Sequence, residues 1–297
     1  MNIEITPKKL EGKVIVPPSK SVAHRLIISA ALANGISKIS NVYPSKDILA
    51  TIDAMNAFGA EIKFQGDLLI VKGISDIPQK ALCDCCESGS TLRFLIPVAC
   101  ALGVETTFLG RANLPKRPIT PYLTELTKNG ITFDYNNTMP FSVSGKLKSG
   151  IYEMAGDISS QFITGLLFAL PMLEGDSEIV LTSRLESKPY VDITVSALKT
   201  YGVQVVETEK GYYIKGNQKY KPCDTTVEAD YSQAAFFYVL NLLGSDIEIC
   251  GLNDESCQGD KKIVEICKKI VYNENAPLKP FNLDCSDIPD LVPVLTV

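Results

Sequence analysis

The stretch PPSKSVAHR, residues 17–25, places a lysine, an arginine and two serines where an almost wholly apolar segment, LIISAALANG, begins. Such a segment predicts a helix that is buried on all sides. Cations are unfavourable near a helix N-terminus, because the unpaired N–H groups there carry partial positive charge. An anion shared by these N–H groups, Lys20 and Arg25 would remove the conflict. We therefore expect an anion site at the start of this helix.

The same pattern recurs along the sequence. SGSTLR at 88–93 and ISSQ at 158–161 precede further apolar segments, and the serines recur about every seventy residues, which indicates internal repetition. They are Ser21, Ser90, Ser160 and Ser232. Capping is the ordinary role of any one such serine. If the repeats converge, however, several helix N-termini face one cleft, and that cleft would hold more than one anionic group.

Between these segments the sequence repeats a strand, helix, strand, helix, hairpin order three times. In each repeat an amphipathic helix stops at a glycine: Gly59, Gly130 and Gly202. The pattern predicts an α/β fold in which three βαβαββ units form a pseudo-threefold upper domain over 18–224, with the first helices inside and the sheets outside. Residues 1–17 and 225–297 would form a partial lower domain, to which the strand at 2–5 would belong.

Bulk composition narrows the function classes. The 297 residues carry a net charge of −5, which argues against nucleic acid as a partner. Because the sequence has a single His, most hydrolase triads are excluded. Its nine Cys are scattered, which is weak evidence for a metal site and is typical of a protein in a reducing compartment. The segment 158–173 is shorter than the about 20 residues of a membrane span. With no signal peptide recognisable at the start, we expect a cytoplasmic protein without a membrane partner.

Six motifs, in this order and spacing, resemble the 5-enolpyruvylshikimate-3-phosphate (EPSP) synthase family of enolpyruvyl transferases: PPSKSVAHR, ESGSTLRF, LPKRPI, GDISSQF, SKPYVDIT and SDIPD. The resemblance runs the length of the sequence. It implies two domains of βαβαββ units and a shikimate-pathway enzyme of chorismate and aromatic amino-acid biosynthesis. The implied reaction transfers the enolpyruvyl group of phosphoenolpyruvate to the 5-hydroxyl of shikimate 3-phosphate and releases phosphate. It implies no cofactor or metal, and a monomer at full length.

The resemblance also assigns roles to residues at matching positions. Lys20, Ser21 and Arg25 would bind shikimate 3-phosphate, and Lys20 would also meet phosphoenolpyruvate. The 3-phosphate would be held by Ser159, Ser160 and Ser187, and Gln161 would lie against the ring. Gly89 and Arg117 would bind phosphoenolpyruvate, and Asp290 would accept the proton of the 5-hydroxyl. Arg93 and Tyr190 are further candidates for substrate contact.

Two departures from the family pattern accompany these expectations. The family continues beyond Val297 with a Lys-Glu-x-x-Arg segment, so we expect this chain alone to turn over poorly. Glu87 stands where the family often has Asn. Two alternatives remain open: a non-catalytic remnant that binds shikimate 3-phosphate, and a UDP-N-acetylglucosamine enolpyruvyl transferase. The second is less favoured because the loop 111–117 lacks the cysteine of that family.

Overall fold

The computed structural model describes residues 4, 6, 8–270 and 282–297. Its α-helices are α1 (Lys20–Leu32), α2 (Lys46–Ala57), α3 (Gly89–Leu102), α4 (Thr120–Lys128), α5 (Ser160–Ala169), α6 (Lys188–Thr200), α7 (Tyr231–Leu242), α8 (Lys262–Lys269) and α9 (Val292–Leu295). Short 3-10 turns lie at Leu114–Lys116, Leu170–Met172, Gly259–Lys261 and Pro289–Leu291.

Most strands are short, and they occur in the order that the repeat predicts. They are β1 (Glu11–Ile15), β2 (Ile36–Ser40), β3 (Glu61–Gln65), β4 (Leu68–Lys72), β5 (Lys80–Asp84), β6 (Glu105–Leu109), β7 (Ile131–Asp134), β8 (Phe141–Gly145), β9 (Ile151–Met154), β10 (Ser177–Leu181), β11 (Val206–Thr208), β12 (Gly211–Ile214), β13 (Thr225–Thr226) and β14 (Asp246–Cys250).

The chain divides into two compact units. Lys20–Val227 forms one, which we call the three-sheet unit, and Met1–Ser19 with Glu228–Val297 forms the other, the smaller unit. The division predicted from the sequence placed the boundaries at 18 and 224. The structure keeps 225–227 with the three-sheet unit, because Thr225 and Thr226 pair in parallel with Ile39 and Ser40 of β2.

The three sheets of the larger unit share one topology. Their strand orders are β13-β2-β4-β3, β5-β6-β8-β7 and β9-β10-β12-β11. In each, the first two strands run parallel and the hairpin that follows is antiparallel. The sheet of the first repeat takes its outer strand from β13, at the far end of the unit, because the chain enters this repeat directly at α1. The repeated βαβαββ unit predicted from the sequence is therefore confirmed.

The first helix of every repeat lies in the core, as its apolar sequence predicts. Residues 22–31 of α1 are all buried, and α3 and α5 are buried over nearly their whole lengths. The second helices stop where glycine was expected: Gly59, Gly130 and Gly202 follow α2, α4 and α6 with φ of +102°, +94° and +79°. Residues without a side chain adopt these values at least cost.

Close packing of α5 on α3 depends on one further glycine. A Cβ on Gly165 would lie 2.2 Å from the Tyr122 hydroxyl and 2.4 Å from the Arg93 carbonyl oxygen. That hydroxyl is 2.8 Å from the carbonyl oxygens of both Arg93 and Phe162, so it joins the two helices near their N-terminal halves. The helix ends that carry the predicted site are thereby held against each other.

The smaller unit contains a two-stranded parallel sheet of β1 and β14 together with α7, α8 and α9. Tyr231, Ile263 and Leu291 are among its buried residues. Asp230 caps α7 by accepting a hydrogen bond from the backbone N–H of Ser232 at 2.9 Å. Of the strand expected at 2–5, only residue 4 is among the described residues. Residues 271–281, which follow α8, also lie outside them. None of the described helices combines the length and the hydrophobicity that a membrane-spanning helix requires.

Candidate functional site

Capping of the inner helices is carried out by the residues just before the repeated serines. Ser88 caps α3 through a 3.1 Å hydrogen bond from the backbone N–H of Thr91, and Ser159 caps α5 through one of 3.3 Å from that of Gln161. Ser90 lies one position inside its helix and Ser160 is the first residue of α5. Most of the repeated serines therefore keep hydroxyls that helix capping does not use.

Arg25 is buried, with 3% of its surface exposed, and its guanidinium is held from several directions. Nε donates to Thr194 Oγ1 at 2.8 Å, Nη1 to the Ser21 carbonyl oxygen at 2.7 Å and Nη2 to the Tyr190 carbonyl oxygen at 2.8 Å. Its Cζ lies 5.1 Å from the centroid of the Phe94 ring, within cation–π range. Arg25 thus joins α1 to α6 and α3 in a fixed orientation.

Lys20, at the first position of α1, is exposed and ion-paired. Its Nζ lies 2.9 Å from Asp47 Oδ2 in the first turn of α2. The carbonyl oxygen of Asp47 in turn lies 3.4 Å from Thr91 Oγ1 on α3. A surface pair of this kind contributes little stability but fixes where the ammonium group lies.

Arg93, which is buried, and Gln161, which is half-buried, form a hydrogen-bonded pair between α3 and α5. Arg93 Nη1 donates to Gln161 Oε1 at 2.7 Å, and Gln161 Nε2 donates to Ser90 Oγ at 3.0 Å. The two bonds fix which way the amide of Gln161 faces. The Arg93 guanidinium lies 5.0 Å from the Phe162 ring, and its Nε has no hydrogen-bond partner among the described residues.

Gly89 and Arg117 are in close approach. A Cβ built on Gly89 would lie 2.5 Å from Arg117 Nη1 and 3.6 Å from Gln161 Oε1. Within the described residues the Arg117 guanidinium makes no hydrogen bond or ion pair. Burial, followed by the charge of Arg117, lowers the pKa of Arg93. Two guanidinium groups therefore share the N-terminus of α3, and no carboxylate of the described residues pairs with either, which leaves a strongly positive site.

The remaining predicted residues of the three-sheet unit lie at the same group of helix ends. Ser187 directly precedes α6 with φ of +56°, and its carbonyl oxygen accepts a 3.1 Å hydrogen bond from the N–H of Tyr190. Both are half-buried. In the described part of the unit, the hydroxyls of Ser21 and Ser160 have no hydrogen-bond partner.

Two further cations near helix starts are paired with carboxylates. Arg111 pairs with Asp84, and Lys188 pairs with Asp192 at 2.7 Å and Glu207 at 3.3 Å. Glu87 is exposed. Asp290 belongs to the smaller unit, where it is exposed in the 3-10 turn Pro289–Leu291 that precedes α9.

Sequence analysis missed the groups that hold these residues in place. Asp47 was not recognised as the partner of Lys20, because an acidic residue in the first turn of a helix is ordinary. Thr194 was also missed, although it accepts from Arg25 and lies 3.0 Å from Thr164 on α5. A buried threonine in an amphipathic helix carries no pattern that distinguishes such a role.

His24 is part of another buried connection that the sequence did not reveal. Its Nδ1 lies 2.8 Å from Thr51 Oγ1, which lies 2.7 Å from Thr91 Oγ1, and Thr91 donates to Ser88 Oγ at 2.7 Å. These four residues, which we call the threonine bridge, link α1, α2 and the cap of α3. Burial, followed by the charges of Lys20 and Arg25, lowers the pKa of His24 to about 3. The ring is therefore neutral near neutral pH.

The arrangement suits small anionic molecules. Cations, helix N-termini and spare hydroxyls at α1, α3, α5 and α6 can together bind phosphate or carboxylate groups. Among the described residues no cluster of three or more His, Cys, Asp or Glu side chains could hold a metal ion.

Three sheets of one βαβαββ topology around buried helices with cationic N-termini define the class of the enolpyruvyl transferases. Two solved structures of EPSP synthase from Acinetobacter baumannii share the fold, with TM-scores of 0.75 and 0.76 at 25% identity, over 89% of this chain. The family model of EPSP synthase (3-phosphoshikimate 1-carboxyvinyltransferase) matches residues 5–296. The chain belongs to the EPSP synthase family.

Curated relatives agree with this assignment. A 3-phosphoshikimate 1-carboxyvinyltransferase of Clostridium beijerinckii is 43% identical over 100% of this chain, and one of Clostridium kluyveri is 46% identical over 99%. The chain spans 73% and 72% of those two proteins, and 60% and 61% of the Acinetobacter structures. The relatives' shared name identifies them as transferases that act on 3-phosphoshikimate.

Proposed function

We propose that the chain serves the EPSP synthase reaction, in which the enolpyruvyl group of phosphoenolpyruvate passes to the 5-hydroxyl of shikimate 3-phosphate. The hydroxyl oxygen bonds to C2 of phosphoenolpyruvate and loses its proton, while C3 gains one. The C–O bond to phosphate then breaks, C3 gives up a proton, and the double bond is restored. Product and inorganic phosphate are released. The reaction fits the shikimate pathway and a cytoplasmic location.

The observation that carries this proposal is the pair Arg93 and Arg117 beside Gly89, two guanidinium groups with which no carboxylate in the described part of the chain pairs. Two multiply charged anions repel each other, so a site that joins them must supply uncompensated positive charge. Arg117 and the backbone of Gly89, which has no side chain to keep a ligand away, fit the phosphate of phosphoenolpyruvate. Gln161, oriented by Arg93, lies at the border between the two substrates.

Shikimate 3-phosphate is assigned to the ends of α1, α5 and α6. Ser159, Ser160 and Ser187 would hold its 3-phosphate, and Ser21, Arg25 and Tyr190 would hold the rest of the molecule. The support for this is the pair of unsatisfied hydroxyls, on Ser21 and Ser160, beside the rigidly held Arg25. Lys20 would reach both substrates. Asp290 remains the predicted base, and Asp290→Asn tests that role.

Calorimetric titration of the 297-residue chain with shikimate 3-phosphate tests the binding half of the proposal, and release of inorganic phosphate in the presence of both substrates tests the chemistry. UDP-N-acetylglucosamine is the control ligand. Binding of shikimate 3-phosphate with phosphate release supports the whole proposal. Binding without release supports the alternative of a non-catalytic protein. A chain that binds only UDP-N-acetylglucosamine would contradict both.

A further inference from the structure

Thr51 and Thr91 lie in the hydrophobic core of the three-sheet unit, yet their hydroxyls contact one another. Both residues are fully buried, and His24 and Ser88 at the two ends of the threonine bridge are 1% exposed. Buried polar groups are costly unless each finds a partner. Four of them in a row, on three different helices, therefore require a consistent pattern of donors and acceptors.

The direction of that pattern follows from counting protons. A threonine hydroxyl has one proton to donate. Thr91 donates to Ser88 Oγ, so at the contact between the threonines Thr51 must donate to Thr91. The proton of Thr51 is then used, and at the remaining contact, 2.8 Å long, the donor must be His24 Nδ1.

The other ring nitrogen agrees with this assignment. His24 Nε2 is buried and has no hydrogen-bond partner among the described residues. A buried N–H group without an acceptor is more unfavourable than a buried lone pair, so the proton belongs on Nδ1. His24, Thr51 and Thr91 then each donate once along the threonine bridge and Ser88 accepts, so the hydrogen bonds run from α1 towards the cap of α3.

The bridge ends at the positive site. Ser88 directly precedes Gly89, and its hydroxyl also accepts the backbone N–H of Thr91. Thr91 additionally lies 3.4 Å from the carbonyl oxygen of Asp47, whose carboxylate holds Lys20. The position of Gly89 and that of Lys20 are thus both tied to the same two threonines.

We propose that His24, in its neutral Nδ1–H form, is a positioning residue that holds the N-terminus of α3, through Thr51 and Thr91, where Gly89 and Arg117 receive the phosphate of phosphoenolpyruvate. The ligand in this statement rests on the proposed function. Arg25 keeps its own hydrogen bonds to α1 and α6, which do not pass through the bridge. The bridge therefore acts mainly on phosphoenolpyruvate. Shikimate 3-phosphate, which the bridge reaches only through Asp47 and Lys20, should lose less affinity.

Matched variants separate positioning from simple loss of stability. His24→Leu and Thr51→Val remove a link, whereas His24→Asn keeps a polar donor near the place of Nδ1. Thr106→Val is the control, because Thr106 is equally buried but hydrogen-bonds within its own strand region, to the Val104 carbonyl oxygen at 3.0 Å. If His24→Leu fails to fold, Thr51→Val, which keeps the shape of the side chain, carries the test.

The first measurement uses the full chain without ligand. Nitrogen-15 shifts of the His24 ring should show a neutral ring protonated at Nδ1. Amide exchange at Thr91 should accelerate about tenfold in His24→Leu and Thr51→Val, the effect of about one lost hydrogen bond, and should stay near wild type in His24→Asn and Thr106→Val. An Nε2–H ring, or unchanged exchange in Thr51→Val, overturns the proposal.

The second measurement is calorimetric titration with phosphoenolpyruvate and, separately, with shikimate 3-phosphate. His24→Leu and Thr51→Val should weaken the binding of phosphoenolpyruvate about five- to tenfold, whereas His24→Asn should keep most of the wild-type affinity. An equal loss of affinity for both ligands, or an affinity of His24→Asn as low as that of His24→Leu, would contradict the role of His24 as a positioning residue. If the wild-type chain binds neither ligand, the proposed function fails, and the exchange measurement still decides whether His24 holds α3.

Discussion

The Arg117 guanidinium occupies the space that a side chain at position 89 would need: a Cβ on Gly89 would lie 2.5 Å from Arg117 Nη1. The contact joins the N-terminus of α3 to the loop before α4. Since the Arg117 guanidinium makes no hydrogen bond or ion pair within the described residues, an anion that binds beside Gly89 can determine its position.

Gly89→Ala should therefore weaken the binding of phosphoenolpyruvate about tenfold or more, because the added methyl displaces Arg117 from the anion it would contact. Stability should change little, since the group displaced is the far end of a flexible side chain. Gly165→Ala is the contrasting variant, because its Cβ meets the Tyr122 hydroxyl at 2.2 Å and backbone at 2.4 Å. Thermal unfolding and calorimetry of both variants check this. A large loss of stability in Gly89→Ala would count against the expected cause.

Arg117→Ala should lower the affinity for phosphoenolpyruvate about tenfold or more, because a charge-assisted contact to phosphate is lost. The melting temperature should stay nearly unchanged. The exposed neighbour Lys116 provides a matched control: Lys116→Ala removes the same charge one residue earlier in the loop. Titrations at two salt concentrations measure both. Equal effects of the two substitutions would show that only the overall charge matters.

Arg25→Lys should lower both stability and affinity for shikimate 3-phosphate. A lysine cannot make all three hydrogen bonds of the buried guanidinium, so the free energy of unfolding should fall by about 1–3 kcal/mol and the affinity about tenfold. Arg111→Lys, at an exposed arginine paired with Asp84, is the control. Urea unfolding and calorimetry give the two quantities. A change in stability with unchanged affinity would indicate that Arg25 is purely structural.

His24 should make stability depend on pH. Its pKa is lowered from 6.5 to about 3 by burial, then by Lys20 and Arg25, with Asp47 acting in the opposite direction. Below pH 6.5 the unfolded chain binds a proton at this histidine that the folded chain does not bind until about pH 3. Stability therefore falls as pH is lowered through that window, by at most about 1.4 kcal/mol per pH unit.

Urea unfolding of the wild type and His24→Asn between about pH 7 and about pH 5 measures the contribution of this one group. Asn does not titrate, so the variant should lose less stability over this range than the wild type does. The same slope for both proteins would mean that the histidine is not the group responsible.

The amino-acid sequence by itself determined the repeat. Helices that are apolar all round had to be buried, glycines after the second helices had to end them, and alternating residues had to form hairpins, because these outcomes depend on local backbone preference and side-chain pattern. The order of six motifs was enough to recognise the family, and the serines and cations at 20–25, 88–93 and 158–161 were correctly expected at the starts of inner helices.

The tertiary structure alone decided the contacts among those residues. Nothing local tells that Arg93 orients Gln161 from 68 positions away or that Arg25 reaches Thr194. It also decided that β13 completes the first sheet and that Thr51 and Thr91 connect His24 to Ser88. Most of these contacts join residues from different repeats, and which side chains meet depends on how the helices pack, a property that no single segment of the sequence contains.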